Sequence, residues 1–329
     1  MDDRRTIRYK TAINEAMREE MERDEKVFVI GEDVDIFGGV FKITRGLVEK
    51  FGNRRVRGTP ISESAFIGLA AGASMTGLRP IVEIMYMDFA LVGMDQLINQ
   101  AASSCYMSGG KVKLPIVIRG QYGSGTREAA QHSRSIEAWF VNTPGIKVLM
   151  PSTVYDAKGL LKSAIRDDNP VLYLENRVMY NENDEVPRGE WLVPIGVAAV
   201  RRQGTDITVV ATGYAVKKSL AAAEALSGMI DVEVIDPRTL DPLDMDTILK
   251  SVEKTGALLV AQEGVVKAGF AAEVIRRVVE EGFGLLKRPP KALGAWDVPV
   301  PFSPVLEDAA IPQSEDITRS IGEILGRKV

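Results

Sequence analysis

Two glutamates and one histidine are the residues of this 329-residue chain best suited to moving protons. Glu32 stands in VIGED, where an apolar run ends in carboxylates, and Glu63 stands in TPISES, after Pro60 and Ile61. Open parallel sheets take their ligands beyond the carboxyl ends of their strands, which is where such polar residues collect. An apolar stretch follows Glu63 closely, so burial there would raise its pKa and keep a proton available near neutral pH. The competing explanation is local: Ser62 or Glu63 caps the helix that follows, and Glu32 is an ordinary charge at a strand end. His132, in AAQHSRS beside the glycine-rich GQYGSG, is the sole histidine. Its side chain is the only kind whose unperturbed pKa lies near seven. A lone histidine also serves as a packing residue, and residue type leaves both readings open.

Several chemistries are excluded. One histidine rules out HExxH and every multi-histidine metal site. One cysteine, Cys105, rules out an internal disulfide, a cysteine-cluster zinc site and a cysteine-ligated iron–sulfur centre, and it suits a reducing compartment. No GxGxxG follows a strand, and GxxxxGK[ST], GxSxG and CxxC do not occur. The formal net charge of -4 supplies no pull toward nucleic acid or an anionic membrane. With 45% hydrophobic and 26% charged residues, the chain has ordinary globular composition and length for two domains or one large one. The N-terminal MDDRRTIRYK lacks the apolar stretch of a secretory signal. The most apolar window, AFIGLAAGASMTGL at 65–78, falls well short of the ~20 residues of a membrane span and reads as a buried packing helix. The expectation is a cytoplasmic protein that binds neither nucleic acid nor membrane.

The elements that must carry the candidate residues follow from periodicity. Residues 11–26 place Ile13, Ala16, Met17 and Met21 on one helical stripe. KVFVIGED, IVEIMYMDF, LPIVIRG, KVLMPS and PVLYLE read as strands, separated by helical stretches such as MDQLINQAAS and VYDAKGLLKSAIRDD. Strands alternating with helices imply α/β architecture with mostly parallel sheets. NENDEVPRGEW at 181–191 breaks the pattern and sets a domain boundary, giving domains 1–185 and 186–329. The alternation then resumes through DITVVATG, VEVIDPRTL and ALLVAQEG. The tail WDVPVPFSP is expected to be irregular until a final helix in SEDITRSIGEILGRKV.

At VIGEDV, GVFKITRGL, TPISESAFIGLAAGASMTGLRPIVEIMYMDF, DQLINQAASSCYMSGG, AQHSRS and PFSPVLED the chain closely resembles a known family. That family is the beta subunit of the thiamine-diphosphate-dependent first component of 2-oxo acid dehydrogenase complexes. The resemblance runs almost end to end. It implies a transketolase-like pyrimidine-binding domain followed by a transketolase C-terminal-like domain, with pyruvate, a branched-chain 2-oxo acid or acetoin as substrate. Glu63 matches the carboxylate that hydrogen-bonds the pyrimidine ring nitrogen of the cofactor. Ile61, Met85 and Phe89 match positions around the aminopyrimidine, and Glu32 matches a second buried carboxylate. His132 matches the histidine that manages protons and orients the lipoyl group. Ile116, Ala164, Asp167 and Asn169 align with a potassium site made of backbone carbonyls, for which a helix terminus closed by DDNP is the plain alternative.

Two departures stand out: Gly58 where the family usually has an acidic residue, and Arg134 where it usually has glutamine. The GDG motif that grips the diphosphate through Mg²⁺ is missing from all 329 residues. The resemblance therefore implies a cofactor site shared with an alpha subunit that holds Mg²⁺. It also implies an α2β2 heterotetramer and docking to a lipoyl-bearing acyltransferase core. A non-catalytic docking subunit is the alternative of a different class.

Overall fold

The computed structural model describes residues 4–329, which fall into two compact α/β units. The first takes the chain up to Tyr122 together with Trp139–Glu175 and Met179–Ile195. The second takes Gly123–Ala138, Asn176–Val178 and Gly196–Val329.

The sheet of the first unit runs Lys147–Leu149, Val171–Asn176, Val117–Tyr122, Arg79–Ile84, Val27–Glu32, Val56–Thr59 from one side to the other. Its registered pairs are parallel. Val27–Glu32, Val117–Tyr122 and Val171–Asn176 are buried along their whole length, as strands covered on both faces must be. Two covering helices, Tyr9–Arg23 and Val154–Arg166, are laced by charge. Lys158 Nζ reaches Glu15 at 2.9 Å, Lys162 Nζ reaches Glu19 at 2.7 Å, and Arg166 Nη2 reaches Glu20 at 2.7 Å. Those three cations recur every fourth residue, so they form one row on their helix. A short antiparallel pair, Arg4–Arg8 with Asn183–Pro187, completes the unit.

The strand expected in IVEIMYMDF stops at Ile84, and Met87–Gly93 turns into a tight helix. The helix expected at 65–78 spans Glu63–Met75. It is a packing helix as expected, with Phe66, Ile67, Ala70 and Ala71 buried, while Ala65, Leu69, Gly72 and Met75 are exposed at helical spacing. Small and apolar residues on both faces conceal from the sequence which face the chain itself covers.

The second unit orders its strands Lys291–Ala295, Leu258–Val265, Ile207–Ala211, Val232–Asp236, Ala199–Arg202, antiparallel only at the last pairing. Val209, Val234 and Leu259 pack with Ile317 and Ile321 of the helix Ser314–Leu325 in one core. The tail WDVPVPFSP is irregular up to Ser303, as expected, but a helix, Pro304–Ala310, forms before the final one; the strand Lys291–Ala295 precedes the tail. Pro304 starts that helix, a position where its missing N–H costs nothing. Among the described residues no helix is long and apolar enough to cross a membrane.

Candidate functional site

Parallel register brings the first unit's acidic residues to one edge. Glu32 ends its strand opposite Thr59, the last residue of Val56–Thr59, while Gly31 on the other side faces Glu83. Glu63 begins the helix four residues beyond Thr59. All three carboxylates are buried, Glu32 at 6%, Glu63 at 5% and Glu83 at 3% exposure. Glu32 Oε1 and Thr59 Oγ1 are buried with no hydrogen-bond partner. Burial, reinforced by the charges of Glu63, Asp33 and Glu83, pushes the Glu32 carboxyl up to about 7. Of the charges acting on Glu32, that of Glu63 is the strongest. The capping explanation fails for Ser62. It stands at the helix start but makes no side-chain cap bond, and its hydroxyl donates to the Pro60 carbonyl at 3.0 Å.

Ile61 and Met85 leave the sheet at the same carboxyl edge, just past Thr59 and Ile84. Ile61 is 81% exposed, and Met85 and Phe89 are half-buried, so the edge presents apolar surface. Beneath it lies a network the sequence reading missed. Arg119, fully buried, pairs with Glu83 and holds Glu175 through two bonds, one of them Nη2 to Oε2 at 2.6 Å; the Tyr180 hydroxyl donates to Glu175 at 2.7 Å. Burial opposes the Arg119 charge, but Glu175 and Glu83 more than offset it and hold the guanidinium well above its usual range. Burial raises Glu83 even against the pull of Arg119. The signal was present: one charge sits inside each of three apolar strands, and Glu83 and Arg119 are register partners.

His132 belongs to the second unit, in a loop after Tyr122. It is half-buried, and its backbone N–H donates to the Ala129 carbonyl at 3.3 Å. The groups that bond its loop were not foreseen. Glu263 accepts from the Ser124 N–H and from Asn176 Nδ2 at 3.0 Å, and Glu307 accepts from the Gly125 N–H at 2.6 Å. Glu137, five residues past the histidine, is 2% exposed, and burial pushes its carboxyl up to about 7. A cavity of about 540 Å³ opens beside Ser124, Gly125, Arg127, Tyr214 and Lys218. Lys218 Nζ donates to the Pro312 carbonyl at 2.7 Å, and burial lowers its pKa.

Residues 5–182 match the transketolase pyrimidine-binding domain and residues 196–317 the transketolase C-terminal domain. The chain is 46% identical over 321 residues to the pyruvate dehydrogenase E1 component subunit beta of Rhizobium meliloti, covering 96% of this chain and 69% of that one. It is 46% identical to the human mitochondrial pyruvate dehydrogenase E1 component subunit beta, over 97% of this chain and 90% of that one. It is 45% identical to the acetoin:2,6-dichlorophenolindophenol oxidoreductase subunit beta of Bacillus subtilis, over 98% of both chains. This chain belongs to the beta-subunit family of 2-oxo acid dehydrogenase first components. The fold agrees. A split-gene transketolase solved as an inactive beta4 tetramer aligns with a TM-score of 0.79 at 24% identity, covering 98% of this chain and 99% of that one.

Where beta subunits usually carry an acidic residue, Gly58 is required by its surroundings. A Cβ there would lie 2.0 Å from Asp35 Oδ1, so a neighbouring loop delivers a carboxylate to the same place. Arg134, the second departure, is exposed, and its carbonyl accepts from the Gly123 N–H at 3.2 Å. The four candidate cation residues lie around the end of helix Val154–Arg166. The Ile116 carbonyl accepts from the Val171 N–H at 2.9 Å and the Ala164 carbonyl from the Asp167 N–H at 3.2 Å, each keeping a second lone pair. Asn169 donates to the Asp167 carboxylate at 2.9 Å, and Arg79 already bonds the Asp167 carbonyl at 2.9 Å.

Proposed function

We propose that this chain is the beta subunit of a thiamine-diphosphate-dependent pyruvate dehydrogenase, which decarboxylates its substrate and reductively acylates a lipoyl carrier. The observation that carries this reading is the buried Glu32–Glu63 pair at the carboxyl edge of a parallel sheet, within a chain of this family. The residues suit an aminopyrimidine. Glu32 offers a buried oxygen that no protein group engages, and Ile61, Met85 and Phe89 offer apolar surface to a flat ring. When bound, thiamine diphosphate supplies the electron sink that loss of carbon dioxide from a 2-oxo acid requires. Glu63 would bond the pyrimidine ring nitrogen, Glu32, its carboxyl pushed up to about 7, would share in holding a proton beside it, and Phe89 and Met85 would pack against the ring. His132 manages protons and orients the lipoyl group.

With no GDG motif in 329 residues, the diphosphate and Mg²⁺ fall to an alpha subunit in an α2β2 heterotetramer, and the isolated chain is inactive. The exposed face of helix Glu63–Met75, with Leu69 and Met75, and exposed Phe37 and Tyr106 are surfaces of the kind subunit contacts cover. The lipoyl-bearing acyltransferase core is the downstream partner. The cytoplasm is the assigned compartment, the domains divide at 185/186, and K⁺ is assigned to the carbonyls around Ile116, Ala164, Asp167 and Asn169. Acetoin cleavage is the second reading, favoured by the full-length match to the Bacillus subtilis relative. The test is assay of the chain assembled with its alpha subunit against pyruvate, branched-chain 2-oxo acids and acetoin, with a lipoylated acceptor. Carbon dioxide release from pyruvate that needs both subunits is the expected result. Preference for acetoin would select the second reading, and failure of the assembled protein to bind thiamine diphosphate would leave only a docking subunit.

A further inference from the structure

We propose that Arg127 is a positioning residue that clasps the tip of the loop bearing His132 and thereby sets where the imidazole stands. Its catalytic consequence rests on the reading of His132 given above; the clasp itself does not. The loop closes on itself at the base: the Gly123 N–H donates to the Arg134 carbonyl at 3.2 Å and the Ser124 hydroxyl to the Ser133 carbonyl at 3.3 Å. His132 lies just inside that closure. Tied only there, a loop of this length would leave its tip free to move.

The tip is instead bonded to the segment Pro304–Ala310 of the same unit. Arg127 Nη1 donates to Asp308 Oδ1 at 2.7 Å and Nη2 to Oδ2 at 3.0 Å, a two-pronged pairing that fixes direction as well as distance. Nη1 also donates to Glu307 Oε2 at 2.8 Å and to the Pro304 carbonyl at 3.1 Å. Glu307, only 1% exposed, turns its other oxygen to the Gly125 N–H, and buried Glu263 takes the Ser124 N–H. Exposed ion pairs usually contribute little. This one differs, because a buried carboxylate joins side chain and backbone of one loop. Arg127 and Ala129 adopt left-handed φ values of 63° and 61°, conformations that side chains disfavour and that persist where surroundings over-determine them. A lysine could reach these acceptors but has no planar fork to match them.

His132 being the only histidine, ¹⁵N-histidine labelling of this chain alone, assembled with an unlabelled alpha subunit, gives one imidazole to follow. Arg127→Met is expected to shift and broaden its NMR signals. It should also cut lipoyl-acceptor turnover on the order of tenfold more than turnover with an artificial oxidant, as misplacement of a reacting group does. Thiamine diphosphate affinity should be unchanged, and Arg127→Lys should fall between. Imidazole signals identical to wild type in Arg127→Met would overturn the clasp. Shifted signals with unchanged lipoyl turnover would uphold the clasp and remove His132 from acyl transfer. If Arg127→Met fails to assemble, Asp308→Asn, which keeps the Glu307 contact, is expected to shift the same signals less, and no shift there overturns the proposal.

Discussion

In the first unit Glu32 keeps a buried oxygen without a partner and is pushed up to about 7, whereas in the second unit Glu263 and Glu307 have their oxygens taken by the Ser124 and Gly125 N–H groups, Asn176 and Arg127. Both settings bury carboxylates at the carboxyl ends of strands or in the segments that follow, and the residue type is the same. Use of the lone pairs separates them. Burial raises the Glu263 carboxyl too, so the difference lies in the acceptors themselves: engaged by fixed donors they fasten backbone, and left open beside like charges they remain free to take a donor. Glu137 crosses the division, since it lies in the second unit yet is buried with Oε2 unpartnered.

The largest effect is expected at the open pair. Glu63→Gln keeps the shape and removes the ionisable group, and turnover of the assembled complex should fall by ~10²–10⁴-fold, as loss of an acid–base group does, with a smaller loss of cofactor affinity. Near-normal turnover would erase the contrast between the two units. Next comes Arg119→Met, which strands Glu83 and Glu175 as buried charges. Urea unfolding should reveal a loss of about 3–5 kcal/mol, and a neutral result would mean the network is not holding the edge in place.

Glu137→Gln sharpens the comparison through pH. The folded carboxyl titrates at about 7, above its unfolded value, so its protonated form adds stability that is complete in acid and is lost as pH rises through 7. The variant should match wild type near pH 4 and exceed it at pH 8 by on the order of 2 kcal/mol in calorimetric unfolding. The reverse ordering would show that Glu137 is charged and paired. An effect of similar size is assigned to Gly58→Ala, which forces a methyl onto Asp35 and should cost about 1–3 kcal/mol. Adding Asp35→Ala should restore most of it, and purely additive losses in that double-mutant cycle would break the link between the two positions.

Much of the site could be read along the chain. Glu32, Glu63, Met85 and Phe89 stand where strands end, and the α/β alternation places those ends on one edge before any coordinates exist. Arg119 was equally visible as a charge inside an apolar strand, but its partners lie 36 and 56 residues away, and only pairing of the strands brings them together. Arg127 gave no local signal at all. It reads as an exposed loop cation, and its partners come from a tail that sequence pattern marked as irregular.

The sequence by itself determined the family, the alternation of strands and helices, the candidate glutamates and histidine, and the missing diphosphate motif, because each depends on residue identity or near-neighbour spacing. Tertiary structure alone decided that Glu32 carries a raised pKa, that Asp35 fills the space above Gly58, and that Glu307 fastens the loop of His132. Those outcomes depend on desolvation and on distances between residues far apart in the chain, quantities that exist only once the strands have paired and the helices have packed.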